Sequence, residues 1–193
     1  MNTELILSHI SKYITISKEE EQYFISLLHY KKLRKKHFLV EEGEVNNYIN
    51  FVNTGILRIF FRQRDGVEYI LQFAPPGWWI ADVKSITTKK PGTLNIEAIE
   101  DSEVFQILKS DLDNLYMKYP VFQQLFRVLA ENSLAAYQYL YVKSLAFSAK
   151  ERFECFTELY PSLVARLPQK YIASFIGVTP EFFSKMLNQI PSK

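Results

Sequence analysis

The sequence predicts an α+β protein in which an N-terminal antiparallel jelly-roll barrel is followed by a long helix and a C-terminal helix-turn-helix domain. Short segments between His37 and Leu108 alternate apolar and polar residues, which is typical of strands. A helical period then runs from Pro120 to Leu145, and two short helical segments meet at Gly177. These observations divide the chain into three domains: 1–119, 120–147 and 148–193.

Composition places the chain among folded globular proteins. Of its 193 residues, 48% are hydrophobic and 23% are charged, so we expect neither disorder nor a membrane protein. No apolar run approaches the roughly 20 residues that cross a bilayer, and the stretch before Ser17 lacks the apolar core of a secretory signal. We therefore expect a cytoplasmic protein with no membrane partner.

Side chains that bind metals are scarce. Cys155 is the only cysteine, so one chain cannot form a disulfide framework or a four-cysteine zinc or iron–sulfur site. We expect Cys155 to be a small buried residue on an amphipathic helix. The histidines His9, His29 and His37 lack the spacing of metal ligands. The sequence predicts no metal site.

The predicted barrel follows a helical lead-in over residues 1–35, where Ser17 and Glu20 form a capping box. Five strands are expected at 48–53, 56–62, 67–73, 94–99 and 103–108. Turn residues separate them, among them an Asp65–Gly66 pair that favours a tight hairpin. Many short strands at close spacing indicate a sandwich or a jelly-roll barrel.

The long helix, 120–145, carries apolar residues on more than one stripe. One stripe can pack on the barrel and another on a partner helix, whereas a fully buried helix of a single chain is the alternative. Ser110 is predicted to cap a short helix before it. Ser148 and Glu151 form a capping box after it, so a further domain begins there.

The last domain has the strongest local signals. Pro168 suits the first turn of a helix, and Gly177 tolerates the positive φ that ends one. Thr179, Pro180 and Glu181 then supply a cap, a first-turn proline and a carboxylate at the positive end of the next helix dipole. This is the layout of a DNA-reading helix-turn-helix, with an ordinary helical hairpin as the alternative. Net charge is weak evidence for DNA binding, since it is only +2 for the whole chain.

The order of elements resembles the Crp/Fnr family of bacterial transcription regulators over nearly the whole chain. Gly43–Glu44 before the central strands, turns at Gly55 and Gly77, and the hinge Leu145–Ala146–Phe147 carry the resemblance. It implies a cyclic-nucleotide-binding-like barrel and homodimers formed by helix 120–145, with recognition helices about one DNA turn apart. It also implies sequence-specific DNA binding, transcription regulation without enzyme activity, and RNA polymerase as a partner. A cupin-type enzyme is discounted because the predicted strands contain no histidine.

In the second helix of the motif, the predicted base-reading residues are Glu181, Ser184 and Lys185. Glu181 can accept a hydrogen bond from cytosine and Lys185 can donate to guanine, whereas Pro180 makes no polar side-chain contact. The candidates for phosphate contacts are Gln169, Lys170 and Thr179. A solvated helix face is the alternative for each of them.

The predicted ligand-pocket region departs from cyclic-nucleotide-binding members of the family. They hold the ribose with Gly-Glu and the phosphate with Arg-Ser, and this sequence has Ala81–Asp82 and Gly92–Thr93 there. Neither Gly92 nor Thr93 replaces the forked, charge-assisted contact of an arginine. The aromatic residues Phe73, Trp78 and Trp79 crowd the region and are expected to fill it, with an apolar ligand as the alternative. We expect an effector other than cyclic AMP, or none.

Two further expectations follow from the resemblance. We assign no cofactor: a cluster sensor needs several cysteines, and a haem sensor needs axial ligands for which His29 and His37 are poor candidates. Family members usually continue into a β-hairpin wing, but only Ile190–Lys193 follow the second helix, so we expect no wing and weaker DNA binding. A second hypothesis is therefore a ligand-binding or protein-interaction module whose helix-turn-helix no longer reads DNA.

Overall fold

A computed structural model describes residues 2–189. The expected lack of a wing concerns residues 190–193, which lie outside the described residues. The elements are α1 (Glu4–Ile10), α2 (Lys18–Ser26), β1 (His29–Leu33), β2 (Phe38–Val40), β3 (Tyr48–Thr54), β4 (Leu57–Arg62), β5 (Glu68–Ala74), β6 (Trp79–Ile80), α3 (Val83–Thr88), β7 (Leu94–Ala98), β8 (Ser102–Leu108), α4 (Lys109–Lys118), α5 (Val121–Ala146), α6 (Ala149–Leu159), α7 (Gln169–Ile176) and α8 (Pro180–Asn188).

The chain forms two compact units. Among the described residues, the first contains residues 2–62 together with Leu71–Glu131, and the second contains Gln63–Ile70 together with residues 132–189. The short segment Gln63–Ile70, at the tip of the β4–β5 hairpin, thus belongs by its contacts to the unit of α6, α7 and α8.

The first unit is an antiparallel barrel, as the sequence predicts. Its strands form two four-stranded sheets in the orders β1-β8-β3-β6 and β2-β7-β4-β5. Buried side chains from strands of both sheets, such as Val52, Leu57 and Ile96, form one hydrophobic cluster. The apolar residues of the predicted strands therefore contribute to a core that the two sheets share.

A second hydrophobic cluster joins helices to the first sheet. Residues of α1, α2, α4 and the start of α5 pack on Phe51 of β3 and Phe105 of β8. Phe24 and Phe122 stack with ring centroids 5.3 Å apart. The predicted capping box is confirmed, since Ser17 Oγ accepts from the Glu20 N–H at 3.3 Å and Glu20 Oε2 accepts from the Ser17 N–H at 2.7 Å.

Two local predictions are wrong. The helical lead-in ends early, because residues 29–33 form strand β1 and pair with β8. The segment is polar and lacks a helical stripe, so pairing with the sheet decides its conformation. Ser110 does not cap α4 but lies inside it. Since β8 runs directly into α4, Leu108 takes the N-cap position and the Lys109 N–H donates to the Asn47 carbonyl at 2.8 Å.

The buried core of the second unit includes residues of three short helices, α6, α7 and α8. Phe156 of α6, Ile172 of α7 and Phe183 of α8 are fully or almost fully buried. The predicted capping box at Ser148 and Glu151 is confirmed. Cys155 is 8% exposed on α6, as expected of a small core residue.

Helix α5 is one continuous helix of 26 residues. Phe122 and Leu125 in its first part are buried, but every residue from Glu131 to Tyr139 is exposed. The fully buried helix is therefore excluded for this chain taken alone. None of the helices within residues 2–189 is long and apolar enough to cross a membrane.

Candidate DNA-binding site and barrel site

The turn between α7 and α8 follows the chemistry of its residues. Gly177 adopts φ 73°, ψ 41° at the C-terminus of α7, and the Val178 N–H donates to the Ala173 carbonyl at 3.0 Å. Thr179 then caps α8, because its Oγ1 accepts a hydrogen bond from the Phe182 N–H at 3.2 Å. A left-handed glycine and a threonine cap thus end one helix and start the next within three residues.

The three predicted base-reading residues lie on one face of α8. Glu181, Ser184 and Lys185 are all exposed, and their spacing of three and four residues places them side by side. Phe183 and Met186 point into the core of the unit. The structure therefore brings Glu181, Ser184 and Lys185 together as an outward polar face.

The predicted phosphate-contact residues flank this face. Gln169 and Lys170 are exposed in the first turn of α7, and Thr179 is exposed at the N-cap of α8. The positive end of the helix dipole at the N-terminus of each helix favours anions. Phe182 of α8 is 52% exposed.

Sequence reasoning missed the role of Arg152 on α6. Its Nε donates to the Ile176 carbonyl at 2.7 Å, and its Nη1 donates to the Phe147 carbonyl at 2.8 Å. One guanidinium thus donates hydrogen bonds to a backbone carbonyl in the last turn of α7 and to another in the hinge after α5. An arginine on an amphipathic helix gives no local signal of such a non-local role.

Sequence reasoning also missed the packing of the hairpin tip on α7. Ser174 Oγ donates to the Glu68 carbonyl at 2.5 Å and accepts from the Ile70 N–H at 3.1 Å. An open cavity of about 580 Å³ lies beside this contact. Its lining includes residues of the hairpin tip, such as Tyr69, together with the candidates Lys170, Thr179 and Glu181.

In the barrel, the Asp82 side chain accepts a hydrogen bond from the backbone of α3. Asp82 Oδ1 accepts from the Ser85 N–H at 3.1 Å and caps α3, while the residue is only 1% exposed. Its Oδ2 is buried without a hydrogen-bond partner. A Cβ on Gly92 would lie 2.1 Å from this oxygen, so Asp82 and Gly92 are in close contact. Thr93, next to Gly92, is exposed.

The three predicted pocket aromatics do not line one space. Phe73 is fully buried, and Trp78 packs against the cluster shared by the two sheets. Trp79 packs on the other cluster, with ring centroids 5.1 Å from Phe51 and 5.2 Å from Phe126. Ala81 is half-buried. The structure therefore brings Asp82 and Gly92 together but packs the two tryptophans against different clusters.

A buried ion pair links β4 and β7. Arg58 Nε donates to Glu97 Oε2 at 2.6 Å, and the Arg58 guanidinium stacks on the Phe60 ring with 4.0 Å to its centroid. Arg58 is 3% and Glu97 8% exposed. Because the arginine is neutralised by Glu97, its charge is not free to hold an anionic ligand.

Metal-ligating side chains are not clustered. Within residues 2–189, no group of three or more His, Cys, Asp and Glu side chains could hold a metal ion. His29 and His37, which the sequence offers as poor haem ligands, are both exposed, and His29 lies edge-on to Tyr48 at 6.1 Å.

Comparison with known proteins identifies the fold. Residues 30–119 match the family model of the cyclic nucleotide-binding domain. The chain has the Crp/Fnr fold. FixK2 from Bradyrhizobium japonicum superposes with a TM-score of 0.71 and 24% identity over 84% of this chain and 83% of that one. None of the curated proteins matches the sequence.

Two further solved structures with this fold are regulators by name. CLP, a c-di-GMP responsive global regulator of Xanthomonas campestris, has a TM-score of 0.71 and 12% identity over 90% of this chain and 91% of that one. A Crp/Fnr family regulator from Eubacterium rectale has a TM-score of 0.70 and 15% identity, over 90% of this chain and 82% of that one. Both of these structural neighbours are thus regulators.

Proposed function

We propose that this chain is a sequence-specific DNA-binding transcription regulator that acts as a homodimer. The observation that carries the proposal is the outward polar face of α8, where Glu181, Ser184 and Lys185 lie beside one another. The fold and its regulator neighbours support it, but DNA binding rests on the chemistry of this face. Such a regulator works on DNA in the cytoplasm, with RNA polymerase as the partner through which it changes transcription.

The chemistry of the face suits the major groove. A carboxylate at Glu181 can accept from the amino group of cytosine, and the ammonium group of Lys185 can donate to guanine. Gln169, Lys170 and the N-terminus of α8 can hold phosphates on either side, which fixes the position of the helix without reading sequence.

The exposed part of α5 supports a homodimer. Large apolar side chains remain exposed there, including Leu134 at 59%, Tyr141 at 65% and Leu145 at 70%. Their spacing of seven and four residues places them on one stripe, as in helices that pair. A second copy of the chain would cover this stripe and present two reading helices to a near-palindromic site.

We propose further that the effector is not cyclic AMP, or that none exists. The residue at the ribose position, Asp82, is buried and caps α3, and the phosphate position holds Gly92 and exposed Thr93 rather than an arginine. Without a cation at residues 92 and 93, the phosphate position lacks the charge-assisted contact that a cyclic phosphate needs.

Selection from a randomised DNA pool tests the proposal. We expect a near-palindromic consensus, and we expect Lys185→Ala to weaken binding to it by about 1–3 kcal/mol, or roughly 5–150-fold. Lys150→Ala, an exposed lysine on α6, serves as the matched control and should leave the preference unchanged. Equal loss on every sequence would make Lys185 a phosphate contact instead.

The second hypothesis, a ligand-binding or interaction module, retains one observation in its favour. The cavity of about 580 Å³ is large enough for a small molecule and is lined by the same Lys170, Thr179 and Glu181. If the pool yields no consensus and binding is only weak and salt-sensitive, the result favours this second hypothesis.

A further inference from the structure

Phe182 of α8 is exposed although its side chain has no polar group. Its exposed fraction is 52%, and the other exposed phenylalanine among the described residues, Phe61, is 39% exposed. An exposed tyrosine can turn its hydroxyl group towards water, but a phenylalanine ring cannot. The neighbouring Phe183 is fully buried, with its ring centroid 5.2 Å from that of Phe153. Of two consecutive aromatic residues, one therefore belongs to the core and the other faces outward.

The position of Phe182 adjoins the outward polar face of α8. In a regular helix the residue lies about 60° around the axis from Lys185 and about 100° from Glu181. The backbone that carries the ring is held in place, because the Phe182 N–H donates to Thr179 Oγ1 at 3.2 Å. Phe182 therefore adds one apolar group to the side of the outward polar face on which Lys185 lies.

The surroundings of Phe182 do not resemble a protein-binding surface. Apolar surfaces that bind proteins are contiguous patches of a few hundred Å² or more, built from several side chains. Within residues 149–189, Phe182 is the one large hydrophobic side chain that is exposed. Its exposed neighbours on α8 include Glu181, Ser184 and Lys185, which are all polar. A single ring among polar groups suits a ligand whose own apolar group is small and surrounded by polar groups.

The major groove of DNA offers such a group. Thymine presents a 5-methyl group at its major-groove edge, next to polar atoms, and phenylalanine is one of the side chains that can contact it. In a helix-turn-helix protein, the N-terminal residues of the second helix contact the base edges. Phe182 is the third residue of α8, which begins at Pro180. It therefore lies in the part of the helix from which bases are read.

We infer that Phe182 determines part of the sequence preference by contacting the 5-methyl group of one thymine in each half-site. The inference rests on the proposed function and deepens it, because it adds an apolar contact to the hydrogen bonds of Glu181 and Lys185. Side chains three residues apart on a helix have Cβ atoms about 5–6 Å apart, and successive base pairs lie about 3.4 Å apart. The thymine therefore lies within two base pairs of the guanine that Lys185 contacts.

The test removes the methyl group and the ring separately. A consensus is first selected with the wild-type protein, and each of its thymines is then replaced in turn by deoxyuridine, which lacks the 5-methyl group. Affinity for each duplex is measured with the wild-type protein, Phe182→Ala and Phe182→Leu. Phe182→Ser takes the place of Phe182→Ala if that variant does not fold. The control is Val83→Ala, which shortens an apolar side chain that is 65% exposed on α3 of the barrel.

We expect one thymine in each half-site at which deoxyuridine weakens binding of the wild-type protein by about fourfold. This factor corresponds to about 0.8 kcal/mol, the contribution of one buried methylene-sized group. Phe182→Ala should bind the thymine and deoxyuridine duplexes equally at that position. Phe182→Leu should keep most of the difference because it keeps an apolar contact, and Val83→Ala should behave like the wild-type protein. A selection with Phe182→Ala should lose the thymine and keep the guanine.

The contrary outcomes are distinct from one another. If deoxyuridine weakens binding of the wild-type protein and of Phe182→Ala equally, the methyl group acts through DNA shape or another residue, and the inference is overturned. If Phe182→Ala loses affinity equally for every DNA sequence, the ring supports the helix rather than reading a base, and the inference is again overturned. A consensus without a thymine that depends on Phe182 overturns this inference alone, whereas a pool that yields no consensus overturns the proposed function as well.

Discussion

His9 illustrates how a single buried side chain ties stability to pH. Its Nε2 is buried without a partner, and its ring lies 5.6 Å from Phe51 and 6.4 Å from Trp79. Burial, and secondarily the charge of Lys12, lowers the pKa of His9 below the ordinary 6.5. The unfolded chain therefore binds a proton that the folded chain resists, so stability is full above pH 6.5 and falls as the pH drops towards the lowered pKa.

The variant His9→Gln should lose less stability than the wild-type protein as the pH falls. Urea unfolding midpoints between pH 7.5 and pH 5.0 are expected to fall less for His9→Gln than for the wild-type protein. His29→Gln, at an exposed histidine, is the control and should follow the wild-type curve. The same decline in all three proteins would show that His9 does not contribute to the pH dependence of stability.

Gly92 is a residue at which no side chain fits. A Cβ there would lie 2.1 Å from Asp82 Oδ2 and 3.3 Å from Ser85 Cβ. We expect Gly92→Ala to lower the free energy of unfolding by about 1–3 kcal/mol, because the cap of α3 must move to make room. Thr93→Ala, at the exposed neighbour, should change it by less than about 0.5 kcal/mol. Similar denaturation midpoints for the two variants would contradict the close packing.

At the residue scale, local chemistry can be predicted and long-range contacts cannot. The capping boxes at Ser17 and Ser148 are predictable because both partners lie within four residues. The roles of Arg152 and Ser174 depend on residues 24 and more than 100 positions away, respectively. A single sequence contains no signal for such pairs.

At the scale of elements, α5 gives the clearest prediction. Leu134, Tyr141 and Leu145 lie on one exposed stripe, so replacing apolar residues there should leave the fold of one chain intact. We expect Leu134→Glu with Leu145→Glu to convert a dimer into a monomer, because four like charges would face one another across the helix pair. Sedimentation at micromolar concentration measures the change.

The control for α5 places the same charges on its opposite side. Asn132→Glu and Ala136→Glu are also at exposed positions, but about half a turn away from the stripe. This pair should remain dimeric. If it dissociates as well, net charge rather than the stripe governs association, and if neither pair does, another surface holds the dimer.

The elements themselves were predictable where their periodicity was strong. Strands β3, β4, β5, β7 and β8 follow their predicted ranges to within a residue or two, because each is rich in strand-forming apolar residues and is bounded by turn residues. Strand β1 has four exposed residues out of five, and β6 has only two residues, so neither carries a usable pattern. Pairing partners across the sheet, rather than propensity, define these strands.

At the scale of the whole molecule, the barrel keeps the fold of cyclic nucleotide-binding domains while its polar residues serve the structure. Asp82 caps a helix, and Arg58 is neutralised by Glu97. A fold alone does not supply a ligand, since binding depends on which charged groups are left free. The sequence could predict the missing arginine at residues 92 and 93, but not that Asp82 turns inward.

Thermal unfolding with cyclic AMP tests this conclusion on the intact protein. A ligand present at 100 times its Kd raises the free energy of unfolding by about 2.7 kcal/mol, or roughly 5–10 °C for a chain of this size. Binding with a Kd of about 10 μM would therefore be evident at about 1 mM cyclic AMP. We expect no shift, because the buried Asp82 carboxylate and the lack of a cation at Gly92 and Thr93 leave the cyclic phosphate without a partner. A rise of several degrees would show instead that the barrel rearranges to hold the nucleotide, since Asp82 would have to leave the cap of α3 to reach the ribose.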